Sequence, residues 1–505
     1  EKLMPGKQVQ FEIAWWYSIN DRMLDNGRSG FEFFPEDSNY LYTIAQFYPR
    51  MAVYDDYEGW QNKQFIGDGE FALEFGDFDV EIAVPADHIV AATGELQNSA
   101  DVLSSEQKKR WAQAKKSFDK PVIIASQQEA EVREKTKSKN TKSWHFKAQN
   151  VRDFAFATSR KYIWEAQAVK LPKNTVMAMS VYPKEANSLW GDEATKAIKN
   201  ALEVYSSRTF DYPYPVAIAV NAAEQGMEYP MICFNGSRPN KNGKYNQRHV
   251  SDLVDVVVHE VGHNYFPMIV NSDERMYGWM DEGLNTFLEL ETKRERYPSL
   301  DTIWGSPRSM VFYHLRFYGV LDPPMTNPDI SNFSGYSDYG QASAAMNVLR
   351  SVILGPELFD KAFKTYANLW KFKRPKPADF FRMMEDVSAT DLDWFWRGWF
   401  YNTTPVDVAI DNVEWYRLNS ENNALEVRSK NGIQPTYFTL TETTSDSYRE
   451  FMNRVDDEKI RTDFKGKNFY EITFKNVGGL VSPLVLKFTF EDNTVVNEIL
   501  PAEIW

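Results

Sequence analysis

Apolar and polar residues alternate along the first part of the chain, and this pattern predicts β-strands. Apolar side chains occupy every second position from residue 78 to residue 84, which is typical of a strand with one buried face. Val9, Phe11 and Ile13 alternate in the same way near the start of the chain. Residues 1–160 are therefore predicted to form an N-terminal β domain.

Helical patterns dominate the next part of the chain, residues 161–405. The strongest lie at 253–265, at 283–296 and at 342–354, and Pro356 begins a further helix. An aromatic-rich helix over 391–401 is predicted to bury its rings in the core. This part is predicted to be a separate, mostly helical domain.

The pattern returns to alternation after residue 405. Apolar residues alternate from Leu484 to Phe490, and Asp492 and Asn493 then form a predicted hairpin turn before Val495. Residues 406–505 are therefore predicted to form a C-terminal β-sandwich, and the whole chain is expected to be an α+β multidomain protein.

Composition narrows the classes of function. The chain has 505 residues, of which 43% are hydrophobic and 25% are charged, an ordinary balance for a globular protein. Its net charge of −14 makes nucleic acid an unlikely partner. The basic stretch from Lys108 to Lys142 is interleaved with glutamates, and no aromatic stacking motif accompanies it, so it is predicted to be a solvated helix and loop.

No apolar run approaches the roughly 20 residues that a membrane span needs. No signal peptide is visible, and the chain begins at Glu1 rather than Met, as a processed or partial chain would. A soluble protein is expected, with its compartment and oligomeric state unassigned. Cys233 is the only cysteine, which excludes an internal disulfide.

The segment His259-Glu260-Val261-Gly262-His263 carries the clearest chemistry. On a helix, residues four apart share a face, so both imidazoles can bind one ion. Glu260 is rotated by about 100° from His259 and can meet a metal-bound water as a general base. The valines around the motif favour a strand by propensity, but the motif requires helical spacing, so we predict a buried helix that Ser251 or Asp252 could cap.

A catalytic zinc needs a third protein ligand. Phe266 and Ile269 stand where the metzincin pattern requires Gly and His, so a third histidine is excluded there. Glu282, nineteen residues after His263, is the best carboxylate candidate. Nearby carboxylates remain as alternatives, namely Asp273, Glu274 and Asp281. Glu289, two turns after Glu282, is interpreted either as a partner of a ligand histidine or as a surface charge.

H-E-x-x-H followed by eighteen residues and then an E-G pair resembles the signature of the M1 zinc metallopeptidases. These are gluzincin aminopeptidases related to aminopeptidase N and leukotriene A4 hydrolase. Their upstream G-x-M-E-N motif is matched in part by residues 225–229, where Met227 and Glu228 agree. Gln225 replaces the first Gly of that motif, and Tyr229 replaces its Asn.

The resemblance implies a thermolysin-like catalytic domain with one Zn²⁺ bound by His259, His263 and Glu282. It implies that Glu228 binds the free α-amino group of a peptide, and that the strand around Gly226 and Met227 pairs with the peptide backbone. It also implies a tyrosine that stabilises the oxyanion. Tyr339 matches the Y-x-K-G pattern best, with Tyr336 as the alternative.

The expected function is that of a zinc-dependent aminopeptidase acting on peptides with a free N-terminus. A zinc endopeptidase on the same scaffold is the alternative among enzymes, although it has no use for Glu228. A non-catalytic peptide-binding module is the alternative from another class, although it has no use for Glu260.

Overall fold

The computed structural model describes residues 3–301, 307–418, 425–427 and 468–505. The chain divides into two compact units, Glu1–Thr403 and Thr404–Trp505. The described residues combine strands and helices in both the predicted order and the predicted α+β class. The boundary predicted at residue 160 stays a prediction, and one strand from before it joins the central sheet of the first unit.

Strands dominate the first 160 residues, as predicted. A four-stranded sheet has the order β1-β2-β10-β6, a three-stranded sheet has the order β5-β9-β7, and β3 pairs with β4. The bounds are β1 Gly30–Phe34, β2 Asn39–Ile44, β3 Val53–Asp55, β4 Gly59–Gln61, β5 Gly76–Pro85, β6 Ile89–Ala92, β7 Glu95–Leu96, β9 Thr141–Val151 and β10 Phe156–Ser159. Strand β5 confirms the alternation over residues 78–84.

The strand expected around Val9, Phe11 and Ile13 is wrong. Residues 3–20 contain neither helix nor strand, and these three side chains are at least half exposed. Alternation predicts a strand only where a neighbouring strand completes the backbone hydrogen bonds. No described strand pairs with this segment.

Short helices interrupt the β region. They are α1 Arg22–Asp25, α2 Ser99–Val102, α3 Ser105–Ala114 and α4 Gln127–Thr136. The capping boxes at Ser104 and Ser126 fix the starts of α3 and α4. The basic stretch from Lys108 to Lys142 therefore lies largely on two capped helices and the start of β9, in agreement with the solvated helix and loop predicted for it.

The first unit contains a six-stranded mixed sheet with the strand order β14-β15-β13-β12-β11-β8. Strand β13 is parallel to β12 and to β15, whereas β14 runs antiparallel to β15. Strand β14 is an edge strand, so one side of its backbone is open to an added strand. The bounds are β8 Val122–Ala125, β11 Ile163–Lys170, β12 Thr175–Tyr182, β13 Val216–Asn221, β14 Gly226–Tyr229 and β15 Ile232–Asn235.

Helices build the predicted helical part. They are α5 Leu189–Arg208, α6 Gln247–Gly262, α7 Gly278–Arg296, α8 Pro307–Phe317, α9 Ala342–Val348, α10 Pro356–Trp370, α11 Pro377–Ser388 and α12 Asp393–Phe400. Two of them, α5 and α6, pack on the six-stranded sheet, and the others pack against helices. Two π-helical stretches, Gly335–Gln341 and Leu349–Ile353, flank α9. Helix α12 buries Phe395, Trp396 and Phe400, which confirms the core interpretation of the aromatic run. None of the helices that the structure describes is long and apolar enough to cross a membrane.

The second unit is β-rich where it is described. Strand β16 (Val408–Leu418) lies between β17 (Leu425–Val427) and β18 (Asn468–Asn476), and β19 (Leu484–Thr489) pairs with β20 (Val495–Leu500). The β19–β20 hairpin confirms the turn predicted at Asp492 and Asn493, and Asn493 has a φ of 65°. The part of the predicted β-sandwich between residues 428 and 467 lies outside the described residues.

Candidate zinc centre and peptide-binding edge

Helix α6 presents His259 and Glu260, and His263 is the residue that ends it. Asn246 caps the helix by accepting a hydrogen bond from the backbone N–H of His249, so the cap expected at Ser251 or Asp252 is wrong. The valine run is helical because one face of α6 is completely buried, including Val254, Val257 and Val258. Tertiary burial here overrides the strand propensity of valine.

Helix α7 brings Glu282 to the two imidazoles. Glu282 Oε2 lies 3.0 Å from His259 Nε2 and 3.3 Å from His263 Nε2, and the two Nε2 atoms are 3.0 Å apart. In a tetrahedral site with bonds of about 2.0–2.1 Å, ligand atoms lie roughly 3.3–3.4 Å apart. The three atoms therefore need to move by only a few tenths of an ångström to hold a zinc ion.

The second nitrogen of each imidazole is occupied, which orients the rings. His259 Nδ1 lies 3.0 Å from Glu289 Oε2, and His263 Nδ1 lies 3.0 Å from the Phe266 carbonyl oxygen and 2.9 Å from Asp281 Oδ1. These contacts direct both Nε2 atoms toward Glu282, as contacts outside the ligand set do in zinc sites. Glu289 is therefore a partner of His259, a predicted ligand, and not a surface charge.

The close approach of α6 and α7 depends on the glycine inside the motif. A Cβ atom at Gly262 would lie 2.2 Å from Asn285 Oδ1 and 2.3 Å from the Tyr205 hydroxyl. Asn285 also donates a hydrogen bond to the His259 carbonyl oxygen over 2.9 Å. The helix bearing the histidines is thus fixed against the helix bearing the glutamate.

The directions of the pKa shifts of His259 and Glu282 indicate that this centre favours a positive charge. Burial opposes the charge of His259, but hydrogen bonds to Glu282 and Glu289 outweigh it and raise the pKa of His259 to about 10. Burial would raise the pKa of Glu282, but the charge of His263 and hydrogen bonds from both histidines hold it well below its usual range. A bound cation supplies the same positive charge and leaves both imidazoles neutral, so the donor set fits zinc.

Glu260 lies beside the ligands and faces the edge strand. Burial raises the pKa of its carboxyl to about 7, and its Oε2 atom has no hydrogen-bond partner among the described residues. A Cβ atom at Gly226 would lie 2.8 Å from Glu260 Oε1. The absence of a side chain at Gly226 therefore leaves room for Glu260 against strand β14.

Glu228 lies on strand β14, two residues after Gly226, and belongs to the surroundings of the candidate ligands. It is only 5% exposed, and burial raises the pKa of its carboxyl well above the usual value. Its carboxylate and ligand atoms of Glu260 and His263 all lie within 4.8 Å of one another. Met227, between Gly226 and Glu228, is buried and lies opposite Phe234 of β15.

The two departures from the family motif have local explanations. The Tyr229 hydroxyl lies 3.0 Å from Nε2 of Gln46, whose side chain is therefore occupied by this contact. The Gln225 side chain donates a hydrogen bond of 2.7 Å to the Arg28 carbonyl oxygen. Both replacements connect strand β14 to residues near the start of the chain.

Tyr339 is the tyrosine that reaches the centre. Its ring stacks on His259 with centroids 5.6 Å apart, and its hydroxyl lies near the Glu282 carboxylate. Burial, together with the neighbouring Glu282, raises its pKa well above the usual value. Tyr336 is oriented differently, and its hydroxyl lies 3.3 Å from His314 Nδ1.

The three carboxylates considered as alternatives to Glu282 make contacts outside the cluster of His259, His263 and Glu282, or only at its border. The Asp273 carboxylate accepts hydrogen bonds from the backbone N–H groups of Arg275 and Met276, and Glu274 forms a buried ion pair with Arg152. Asp281 contacts His263 on the side away from Glu282. The structure thus brings together His259, His263 and Glu282, with Glu228, Glu260 and Tyr339 around them.

Two charged residues near Glu228 carry no signal in the sequence. Arg28 forms an ion pair with Glu70, with nitrogen–oxygen distances of 2.6 and 2.7 Å. Burial opposes the charge of Arg28, but the hydrogen bond and charge of Glu70, with a further contribution from the Glu228 carboxylate, raise the pKa of Arg28. About 200 residues separate Arg28 from Glu228, so no local pattern could have connected them.

Comparisons with known proteins agree with this geometry. Residues 193–399 match the Peptidase family M1 domain. Over 276 residues the chain is 24% identical to the glutamyl aminopeptidase of Sus scrofa, an alignment that covers 51% of this chain and 28% of that protein. Over 149 residues it is 24% identical to aminopeptidase Q of Mus musculus, which covers 27% of this chain and 26% of that protein.

The chain thus spans about a quarter of the length of these curated relatives. The solved structure of Legionella pneumophila aminopeptidase A in complex with aspartic acid shares the fold, with a TM-score of 0.50 and 13% identity. That match covers 80% of this chain and 44% of the other. The two helices that carry the candidate zinc ligands thus lie within the residues that match the domain of peptidase family M1.

Proposed function

We propose that the protein is a zinc-dependent aminopeptidase that hydrolyses the first peptide bond of peptides with a free N-terminus. The observation that carries this proposal is the buried carboxylate of Glu228 on an edge strand, within 4.8 Å of ligand atoms of Glu260 and His263. A buried carboxylate without a matching cation is costly. The ammonium group of a peptide N-terminus supplies that cation beside the reacting atoms.

Each surrounding residue then has a defined task. Zinc, when bound by His259, His263 and Glu282, supplies Lewis-acid polarisation of the scissile carbonyl and acidifies the attacking water. Glu260 takes a proton from that water and passes it to the leaving amine. The Tyr339 hydroxyl donates to the carbonyl oxygen as negative charge develops there. The free edge of β14 aligns the peptide as an added strand.

Zinc content tests the ligand assignment. We expect about one equivalent of zinc per chain by elemental analysis, and a sharp loss in His263→Ala because one of three protein ligands is removed. His145→Ala is the matched control, since His145 lies on β9 against Asp79. Full zinc retention by His263→Ala, with His145→Ala unchanged, would show that the ligands are assigned wrongly.

Blocking the substrate amine tests the exopeptidase proposal. N-acetylation should lower kcat/KM by roughly 10²-fold or more, because Glu228 then faces a neutral amide instead of an ammonium. Glu228→Gln should remove most of this discrimination by impairing cleavage of the free peptide, with little effect on the acetylated one. Equal cleavage of both peptides by the wild type would favour the endopeptidase alternative and leave the zinc centre intact.

Replacing the two tyrosines tests which hydroxyl acts on the oxyanion. Tyr339→Phe should lower kcat by roughly 10²–10³-fold with little change in KM, because an oxyanion donor acts mainly in the transition state. Tyr336→Phe is the matched control and should be much milder, since its hydroxyl lies near His314. The reverse order of effects would assign the role to Tyr336. Zinc analysis of both variants separates lost chemistry from lost metal.

A further inference from the structure

A cavity of about 340 Å³ lies between the β3–β4 hairpin and the loop that joins α6 to α7. Small-molecule sites in proteins have volumes of roughly 300–1,000 Å³, so this cavity is large enough for an organic ligand. The chain around the hairpin contributes Met51, Glu58 and Trp60 to its wall, and the α6–α7 loop contributes Asp273 and Met276. None of these five residues has a task in the proposed reaction.

Asp273 is a buried carboxylate with one oxygen open to the cavity. It is 6% exposed, and its Oδ1 atom accepts hydrogen bonds from the backbone N–H groups of Arg275 and Met276. Its Oδ2 atom makes no hydrogen bond to the described residues, yet it retains accessible surface, so a ligand in the cavity can reach it. Burying a carboxylate without a matching cation is costly.

No cation among the described residues neutralises Asp273. Arg374 influences it through its charge, but Arg374 forms its ion pair with Glu74, over 3.3 Å. Burial raises the pKa of Asp273, and the charge of Glu58 raises it further, against the effects of Arg374 and of two backbone hydrogen bonds. Asp273 and Glu58 are therefore close enough to repel each other, and a cation between them would relieve this repulsion.

The two arginines on the wall are already paired within the protein. Arg50 forms an ion pair of 2.9 Å with Asp153, and Arg275 forms one of 2.7 Å with Asp329. Lys63 also lines the cavity, and its side chain is exposed. An exposed lysine forms at most a weak ion pair, so it would compete with a ligand without replacing it.

The rest of the wall suits an aliphatic chain with a cationic end. Trp60 is 63% exposed, and a guanidinium or ammonium group over an indole face gains a cation–π interaction. Met51 and Met276 add apolar surface on which an aliphatic stem can lie. A calcium ion would need roughly six to eight oxygen ligands, whereas Asp273 and Glu58 are the free carboxylates of this wall.

The cavity borders the residues that surround Glu228. Glu274 follows Asp273 directly, and its carboxylate lies within 4.8 Å of the carboxylates of Glu228 and Asp281. Burial is the main cause of the raised pKa of Glu228, and the charge of Glu70, a residue of the cavity wall, contributes to it. A ligand in the cavity would therefore lie near the proposed amine-binding residue.

We propose that this cavity binds the guanidinium or ammonium group at the end of an aliphatic chain, with Asp273 and Glu58 as its anionic partners and Trp60 as its aromatic wall. Such a group has two sources, a basic side chain on the first residue of a peptide substrate and a free organic cation. The first source rests on the proposed function, which places the peptide amine at Glu228, whereas the second does not.

Binding of n-butylguanidinium to the zinc-loaded protein tests the site without any reaction. The neutral analogue n-butylurea is the comparison, and both dissociation constants are measured by ligand-observed NMR. Butylguanidinium should bind about 10-fold more tightly or better, because only it supplies a positive charge for Asp273 and Glu58. Equal affinity of the two probes would overturn the inference.

Substitutions on the wall distinguish this cavity from the other acidic groups of the protein. Glu58→Gln should bring the ratio of the two dissociation constants toward one, and Asp273→Asn should do the same while keeping its backbone hydrogen bonds. Glu36→Gln, at an exposed carboxylate outside the cavity, is the matched control and should retain the ratio. Lys63→Gln should increase the ratio because it removes a competing charge. An unchanged ratio in both Glu58→Gln and Asp273→Asn would overturn the inference.

Two peptides distinguish the sources of the cation. Arg-Ala-Ala and citrulline-Ala-Ala differ in the charge of the first side chain, and both have a free amine. A kcat/KM about 10-fold higher for the arginine peptide, reduced toward equality in Glu58→Gln, would assign the site to substrate side chains. Equal kcat/KM values, with butylguanidinium binding intact, would contradict that assignment and support a free cation. Absent hydrolysis of both peptides, with this binding intact, would refute the aminopeptidase proposal and leave the cation site standing.

Discussion

The site depends on an excess of buried negative charge around two imidazoles. Among the described residues, Arg152 pairs with one of these carboxylates, Glu274, whereas the others lie against histidines or against one another. They are the buried Glu228, Glu260, Asp281 and Glu289, together with the partly exposed Glu282. Unpaired carboxylates in a protein interior are destabilising, so this arrangement requires cations from outside the chain. A zinc ion and a substrate ammonium are the two cations that the proposed function supplies.

Rigid packing holds these charged side chains at fixed positions. The contact at Gly262 holds α6 against α7, so the histidines and Glu282 cannot separate without disturbing two buried helices. Strand β14 sets Glu228 and the space beside Glu260 in sequence along one extended edge. A peptide pairing with that edge would be positioned by backbone hydrogen bonds, while the charge of its N-terminal amine would determine which peptides fit.

The sequence predicted what depends on local spacing and failed where distant parts of the chain meet. Helical spacing identified His259, Glu260 and His263, although valine propensity opposed a helix. The contact of Asp281 with His263 depends on the loop between α6 and α7, so the sequence left Asp281 among the alternative ligands. Arg28 lies about 200 residues before Glu228, and no motif marks it. The alternation from Val9 to Ile13 predicted a strand wrongly, because a strand also needs a neighbouring strand to complete its backbone hydrogen bonds.

The most direct test of the central claim is the position of the metal in a crystal of zinc-loaded protein, located by anomalous scattering at the zinc edge. The account predicts one peak about 2.0–2.2 Å from His259 Nε2, His263 Nε2 and a Glu282 oxygen. Two other groups of potential ligands include Glu228, one with Glu260 and His263 and the other with Glu274 and Asp281. A zinc peak at either of those groups, with none between His259 and Glu282, would contradict the account.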